Sequence, residues 1–307
     1  MCCSCVWLCY SQRRVRAMAI LGLGCSAKHL KPFQIDATIQ WQIGETTSDQ
    51  APNVVLIFGG DGTVHRHLQR LVELGLPVLI VPAGSGNDFA RVLGLRSVKE
   101  SLAAWRKFLN GAGNSLSIDL GLISSPGQEG GGSSAPHRTY FCSVAGLGLD
   151  AEVTRRANRL PRWARGNGGY ALTAVPTIFQ YAPLPMKISV SDGENWKDRS
   201  DQPTILAAFA NTGIYGGGMK IAPRAQMDDG LLDACVISGM DSFRLACLFP
   251  TVYFGGHLRL REVQYFQAAR YRVETESPLD VYADGEFVCR TPVEIGVVPG
   301  GLRVITP

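Results

Sequence analysis

Short apolar runs, each closed by glycine or proline, recur through the first third of the chain. "MAILGLG" from Met18, the run Val54 to Phe58 and the run Val78 to Val81 have the length and bounds of buried parallel strands. "ATIQWQI" alternates apolar with polar and reads as a further strand. Between these runs the period changes to that of a helix. Val64, Leu68, Leu71 and Val72 share one face, and Gly75 ends that helix. Val98, Leu102, Trp105 and Leu109 form a second stripe. Strands alternating with helices predict a doubly wound α/β unit over residues 18–115.

From residue 116 the pattern becomes one of strands and tight turns. "LSIDLGLIS" and "RTYFCSVAG" flank "SPGQEGGGSSAP", which reads as a flexible hairpin loop. "SDGE" and "ADGEF" carry Asp-Gly hairpin turns. "ILAAFAN", "LLDACVIS", "VQYFQAARYRVE", "VEIGVV" and "LRVIT" complete a predicted β-sandwich over residues 116–307. Helices are inserted near Gly168–Gln180 and Ser242–Phe254, and the last strands are free to return to the first unit. The fold class is thus α/β followed by a β-sandwich.

Composition agrees with a folded chain: of 307 residues, 46% are hydrophobic and 18% charged. A net charge of +4 gives no reason to expect nucleic acid. Cys25, Cys142, Cys235, Cys247 and Cys289 are scattered through apolar runs, as free thiols of a reducing compartment are. A cytoplasmic protein is expected, since no apolar run approaches the twenty or so residues of a membrane span. Residues 1–17, with Cys2, Cys3, Cys5 and Cys9, read as a non-structural extension; acylation or metal binding there is the other reading. "RRANRLPRWAR" sets Arg155, Arg156, Arg159, Arg162 and Arg165 around Trp163. This is either a solvated basic loop or a dock for an anionic membrane surface.

The candidate chemistry lies where strands end. Gly59-Gly60-Asp61-Gly62-Thr63 follows one strand and opens a helix. Glycines there leave backbone N–H groups open to an anion, and an acid beside a phosphate implies a cation between them. The plainer alternative is a strand–helix turn with Asp61 at the positive helix end. Gly84-Ser85-Gly86-Asn87-Asp88 repeats the arrangement after the next parallel strand, so both turns meet at one carboxyl edge, where ligands bind. Neither turn is a Walker A loop or a dinucleotide fingerprint.

"GGDGT" followed by "PAGSGNDFAR", with "SIDLG", "MKIAPRAQMDDGLLDACVI" and "ADGEF" downstream, resembles the diacylglycerol kinase catalytic domain family. That family includes soluble bacterial lipid kinases and the sphingosine and ceramide kinases. The resemblance implies transfer of the γ-phosphate of ATP to a lipid hydroxyl, with Mg²⁺, by a peripheral protein at the inner membrane face. It implies that Gly59, Gly60, Gly62, Thr63 and Ser85 hold the ATP phosphates and that Asp61 acts on Mg²⁺–ATP. Asp88, Arg91 and Asp119 would form a charged network ordering the cleft. Glu286 would be the general base, and Gln226, Asp229 and Leu231 would bind a structural Mg²⁺. Two other functions remain open: an NAD kinase-like enzyme, which shares the GGDGT loop, and a lipid- or nucleotide-binding regulator without catalysis.

The chain departs from the family pattern in three places. "ILGLGCSAKHLKPF" lacks the usual Asn-Pro, Gly44 to Asn53 is short for a parallel crossover, and Arg66 stands where Glu is common. If Thr63 caps its helix, Arg66 is the third helical residue, facing phosphate, pairing with an acid such as Asp88, or pointing to solvent with no role.

Overall fold

The computed structural model describes residues 18–44, 51–126, 137–160, 169–191, 193 and 195–307. The extension expected over residues 1–17 therefore lies outside the described residues, as do Arg162, Trp163 and Arg165.

The first half is built on four parallel strands: β1 (Ala19–Leu23), β2 (Gln40–Ile43), β3 (Val54–Gly59) and β4 (Val78–Pro82), in the spatial order β2-β1-β3-β4. Every residue of β1 is buried, as are Val54 to Phe58 of β3, which accounts for their unbroken apolar runs. Helix α1 (Ala27–Leu30) follows β1, and α2 (Asp61–Leu74) follows β3. After β4 come the short α3 (Asp88–Val92) and then α4 (Val98–Leu109). Helix α2 buries Val64, Leu68 and Leu71, and stops at Gly75, whose φ of +60° lets its N–H reach the carbonyls of Leu71 and Val72. In α4, Trp105 is fully buried and its indole N–H donates to the Phe33 carbonyl at 3.1 Å. Strands β2 and β3 flank β1, and Gly44 to Asn53 separate them in sequence, with residues 45–50 outside the described residues.

The second half contains β5 (Ser115–Ser125), β6 (His137–Phe141), β7 (Val144–Gly148), α5 (Leu149–Ala157), α6 (Gly169–Ile178), β8 (Leu184–Ser191) and β9 (Trp196–Ala210). It continues with β10 (Leu232–Ser238), α7 (Ser242–Leu248), β11 (Val263–Ala268), β12 (Arg270–Thr275), β13 (Asp280–Ala283), β14 (Glu286–Arg290) and β15 (Val293–Ile305). Its strands run in the order β14-β13-β7-β9-β8-β12-β15, with β10 and β11 branching from β9. Phe141, Leu147, Ile188, Phe209, Tyr271 and Ile295 lie in one buried cluster between the strands, the core of a β-sandwich-like domain.

Strand β15 joins the halves. It pairs antiparallel with β5 along most of its length and parallel with β4 at Val304–Val78. Two features differ from the sequence expectation. The basic stretch begins inside α5, where Arg155 and Arg156 each reach Glu152 at 2.7 Å. The second inserted helix ends at Leu248 and passes into a 3-10 turn over Phe249–Phe254, whose second residue is Pro250.

Candidate active site

Register sets the site. Gly59 of β3 lies opposite Pro82 of β4, so the turns after the two strands emerge side by side. They touch: a Cβ on Gly84 would fall 2.4 Å from the Gly60 Cα and 2.6 Å from its nitrogen. The glycines are therefore required by backbone contact. Gly84→Ala is expected to destabilise the fold by about 1–3 kcal/mol, the usual cost of overpacking a rigid contact. Urea unfolding checks this, and an unchanged midpoint would contradict it.

Asp61 ties the turns together. Its carboxylate accepts backbone N–H groups from Asn87 at 2.9 Å, Asp88 at 3.0 Å and Phe89 at 3.0 Å, all at the start of α3. Burial raises its pKa, and those amides with the Asp88 charge modify the shift without cancelling it. Asn87 has φ +98°, a conformation that asparagine tolerates better than most residues. Its side chain holds the loop by accepting from the Gly84 N–H at 3.0 Å and donating to the Gly84 carbonyl at 2.9 Å.

These turns form one wall of a cleft of about 650 Å³, within the range of ligand sites. Gly60, Asp61, Gly62, Thr63 and Ser85 line it, whereas Gly59 lies behind the wall with its Cβ position 2.4 Å from the Thr63 side chain. Thr63 does not cap α2. The cap is Gly60 and the helix begins at Asp61, so Thr63 is its third residue and Arg66 sits in the second turn. Arg66 is exposed and lines the cleft. It does not pair with Asp88, whose oxygens accept from Arg91 Nη1 at 2.6 Å and from the Gly217 N–H at 2.7 Å.

Asp88 and Arg91 thus form the expected pair in the cleft, but Asp119 does not join them. Its carboxylate faces the other way, accepting N–H groups from Gly230 at 2.7 Å and Gly300 at 2.8 Å. A buried carboxylate needs such donors, and here they are turn amides of the second half. Asp119 thereby holds the turn bearing Gln226, Asp229 and Leu231. Asp229 is exposed there and accepts the Leu231 N–H at 3.0 Å. The Asp229 carboxylate, with the Gln226 and Leu231 carbonyls, would supply only oxygen ligands, the kind that Mg²⁺ takes.

The opposite wall is the β13–β14 hairpin. Its turn residues Asp284 and Gly285 have φ of +49° and +87°, as a two-residue Asp-Gly turn requires. Glu286 begins β14 and lines the cleft, with its carboxylate 2.9 Å from where a Cβ on Gly62 would lie. The structure therefore sets Glu286 against the first glycine turn. Asp284 is buried, and its carboxylate accepts from the Cys142 N–H at 2.9 Å, the Ser143 N–H at 2.8 Å and His65 Nδ1 at 3.1 Å. Burial opposes the Asp284 charge, but His65 and the amides outweigh it and lower its pKa. Burial likewise opposes the imidazolium of His65, and the Asp284 bond with the charges of Asp284 and Glu286 raises its pKa overall.

The sequence reading missed His65. The available signal was its spacing, since a residue four after Asp61 lies on the same helix face.

Behind the cleft is a second cavity of about 50 Å³, walled by apolar side chains including Val153, Ile178, Ile205, Leu245 and Val252. Asp150 and Tyr215 line both spaces, and the Tyr215 hydroxyl donates to Asp150. A polar cleft and an apolar cavity thus share a boundary.

Comparison with known proteins agrees with this arrangement. The diacylglycerol kinase catalytic domain matches residues 29–123, and the YegS C-terminal NAD kinase beta sandwich-like domain matches residues 143–306. A diacylglycerol kinase of Mycobacterium tuberculosis is 38% identical over 255 residues, covering 83% of this chain and 77% of the relative. A protein of Chromohalobacter salexigens named "Probable lipid kinase YegS-like" is 29% identical over 261 residues, covering 82% of this chain and 76% of its own. The crystal structure of a diacylglycerol kinase from Bacillus anthracis superposes with a TM-score of 0.63 at 18% identity, covering 95% of this chain and 97% of that one, which supports the fold. Both halves of the chain match, and in order: it belongs to the diacylglycerol kinase catalytic domain family of lipid kinases, with a YegS-type C-terminal domain.

Proposed function

We propose that this chain transfers the γ-phosphate of ATP to the hydroxyl of a lipid such as diacylglycerol. The observation that carries this reading is the apolar cavity sharing Asp150 and Tyr215 with the polar cleft. A soluble acceptor such as NAD gains nothing from an apolar chamber beside the reacting groups; an acyl chain does.

In this scheme the backbone N–H groups of Gly60 to Gly62, with the side chains of Thr63 and Ser85, take the phosphates, the Thr63 N–H being bonded to the Gly60 carbonyl. Asp61 keeps the two glycine turns in contact, and the Asp88–Arg91 pair supports the cleft wall. Mg²⁺ accompanying ATP would neutralise charge on the transferred group. Glu286, on the facing wall, removes the proton of the acceptor hydroxyl as its oxygen bonds to the γ-phosphorus. The bond from that phosphorus to the β–γ bridging oxygen breaks and ADP departs. Gln226, Asp229 and Leu231 would hold a second Mg²⁺ with a structural role. The test is an acceptor panel with ATP. Phosphorylation of diacylglycerol without phosphorylation of NAD supports the reading, and the reverse result sinks it.

The lipid is taken from an anionic bilayer in this account, with the protein peripheral at the cytoplasmic face. No helix among the described residues is long and apolar enough to cross a membrane. Leu172 and Phe179 near α6, Phe243 on α7 and Phe254 after it are each more than half exposed. The inner faces of these elements wall the apolar cavity. No acidic residue occurs between Glu152 and Asp192, whereas Arg159 is exposed there, which suits anionic headgroups. Arg155 and Arg156 contribute less than the sequence suggests, because Glu152 faces both. Replacing Phe179 and Phe254 with Ser is expected to lower partitioning onto phosphatidylglycerol vesicles by roughly tenfold or more, from the apolar area withheld from lipid. Equal sedimentation with vesicles would remove this face from membrane binding.

A further inference from the structure

Two elements from opposite halves of the chain meet at one hydrogen bond. His65 lies on α2, three residues after Gly62, so both project from the same side of the helix. Asp284 lies in the β13–β14 turn, two residues before Glu286. The His65 Nδ1 to Asp284 Oδ2 distance is 3.1 Å, with the Asp284 side chain wholly buried and that of His65 only 11% exposed. From its own half, Asp284 is held by the amides of Cys142 and Ser143. The next carbonyl, that of Gly285, accepts from Asn158 Nδ2 at 2.8 Å. The turn is thus fixed within its own half by the amides of Cys142 and Ser143 and by Asn158, just after α5, while His65 ties it to the helix that carries the first glycine turn. Glu286 leaves this turn and its carboxylate comes to rest over Gly62.

We propose that His65 is a positioning residue for phosphoryl transfer: its bond to Asp284 sets the distance between Glu286 and the phosphate-binding turn. This rests on the reading of Glu286 as the general base. The bond spans the two walls between which the reaction is placed, so losing it frees one wall to shift against the other. Displacing a reacting group by about 1 Å can cost up to a hundredfold in rate. Nucleotide binding should be spared, because the contact of Gly60 with Gly84 and the Asp61 bonds do not involve His65.

Steady-state kinetics on the full chain, with ATP and diacylglycerol in mixed micelles, separate this role from simple support of the fold. In His65→Leu, kcat is expected to fall by roughly tenfold to a hundredfold while the KM for ATP stays within about twofold. In His65→Asn, which keeps an N–H donor near the Nδ1 position, most of the lost kcat should return. His65→Ala serves as the second deletion if the leucine variant does not fold. Wild-type transfer together with undiminished kcat in a folded His65→Leu or His65→Ala overturns the positioning role alone, as does equal loss in the asparagine and leucine variants. No transfer by the wild-type chain to any lipid overturns the reading of the reaction, and the positioning role with it.

Discussion

Glu286→Gln is expected to lower kcat by about a hundredfold or more, with the melting temperature and the KM for ATP close to wild type. The substitution keeps size and polarity but removes the group that accepts the proton. The side chain is exposed at the start of β14, so its neutralisation leaves no buried charge unpaired. Its carboxylate rests over Gly62 of the first glycine turn, and glutamine, being of the same size, leaves that packing in place. Kinetics with a lipid acceptor and a thermal melt decide the matter together. Near-normal kcat in a folded Glu286→Gln protein would remove Glu286 from the proton-transfer role.

Asp61→Ala should do something different: damage stability and turnover together. Three backbone N–H groups lose their acceptor at the start of α3. Loss of a cap, or of a hydrogen bond to a charged group, costs about 0.5–3 kcal/mol. The two glycine turns are then free to separate, and a loss of turnover of at least tenfold is expected on positional grounds. Because burial raises the Asp61 pKa, the carboxylate is protonated at a higher pH than an ordinary aspartate of about 3.8. The acid limb of activity should sit correspondingly high. A variant with wild-type stability and depressed kcat would show instead that Asp61 acts on the nucleotide and not through the loops.

The His65–Asp284 pair adds a second pH dependence. The His65 pKa is raised above 6.5, so its contribution to stability is complete below that value and is lost as pH rises through the folded pKa. The Asp284 pKa is lowered below 3.8, so its contribution is present above that value and is lost as pH falls through the folded pKa. The pair therefore stabilises most between these limits.

What could be read in the sequence was whatever has a local cause. The glycine turns stood out because strand ends at a binding edge need small residues, and Gly60 against Gly84 shows the reason in space. The Asp-Gly turn before Glu286 was legible because only certain residues accept positive φ. What could not be read depends on contacts between distant segments. Asp119 in "SIDLG" has the same neighbours in sequence whether it faces a cleft or two turn amides, and only the placement of Gly230 and Gly300 decides. The partners of β15 are likewise set by assembly, since the pairing of Val304 with Val78 has no signature near either residue. Helix α5 was hidden because its last turn begins the basic stretch, and the Glu152 pairs that support it appear only at helical spacing. His65 was passed over because its spacing from Asp61 is only a weak signal, and its partner Asp284 lies 219 residues away in sequence.

In the proposed reaction the glycine turns and Glu286, on facing walls, move phosphate from ATP to lipid. The direct measurement incubates the wild-type chain and Glu286→Gln with ATP labelled in the γ-phosphate, Mg²⁺ and diacylglycerol in anionic mixed micelles, and counts label in the organic phase. Labelled phosphatidic acid is expected from the wild-type chain and about a hundredfold less from the variant. No organic-phase label from the wild-type chain with any lipid acceptor, or equal label from both proteins, would contradict the proposed reaction.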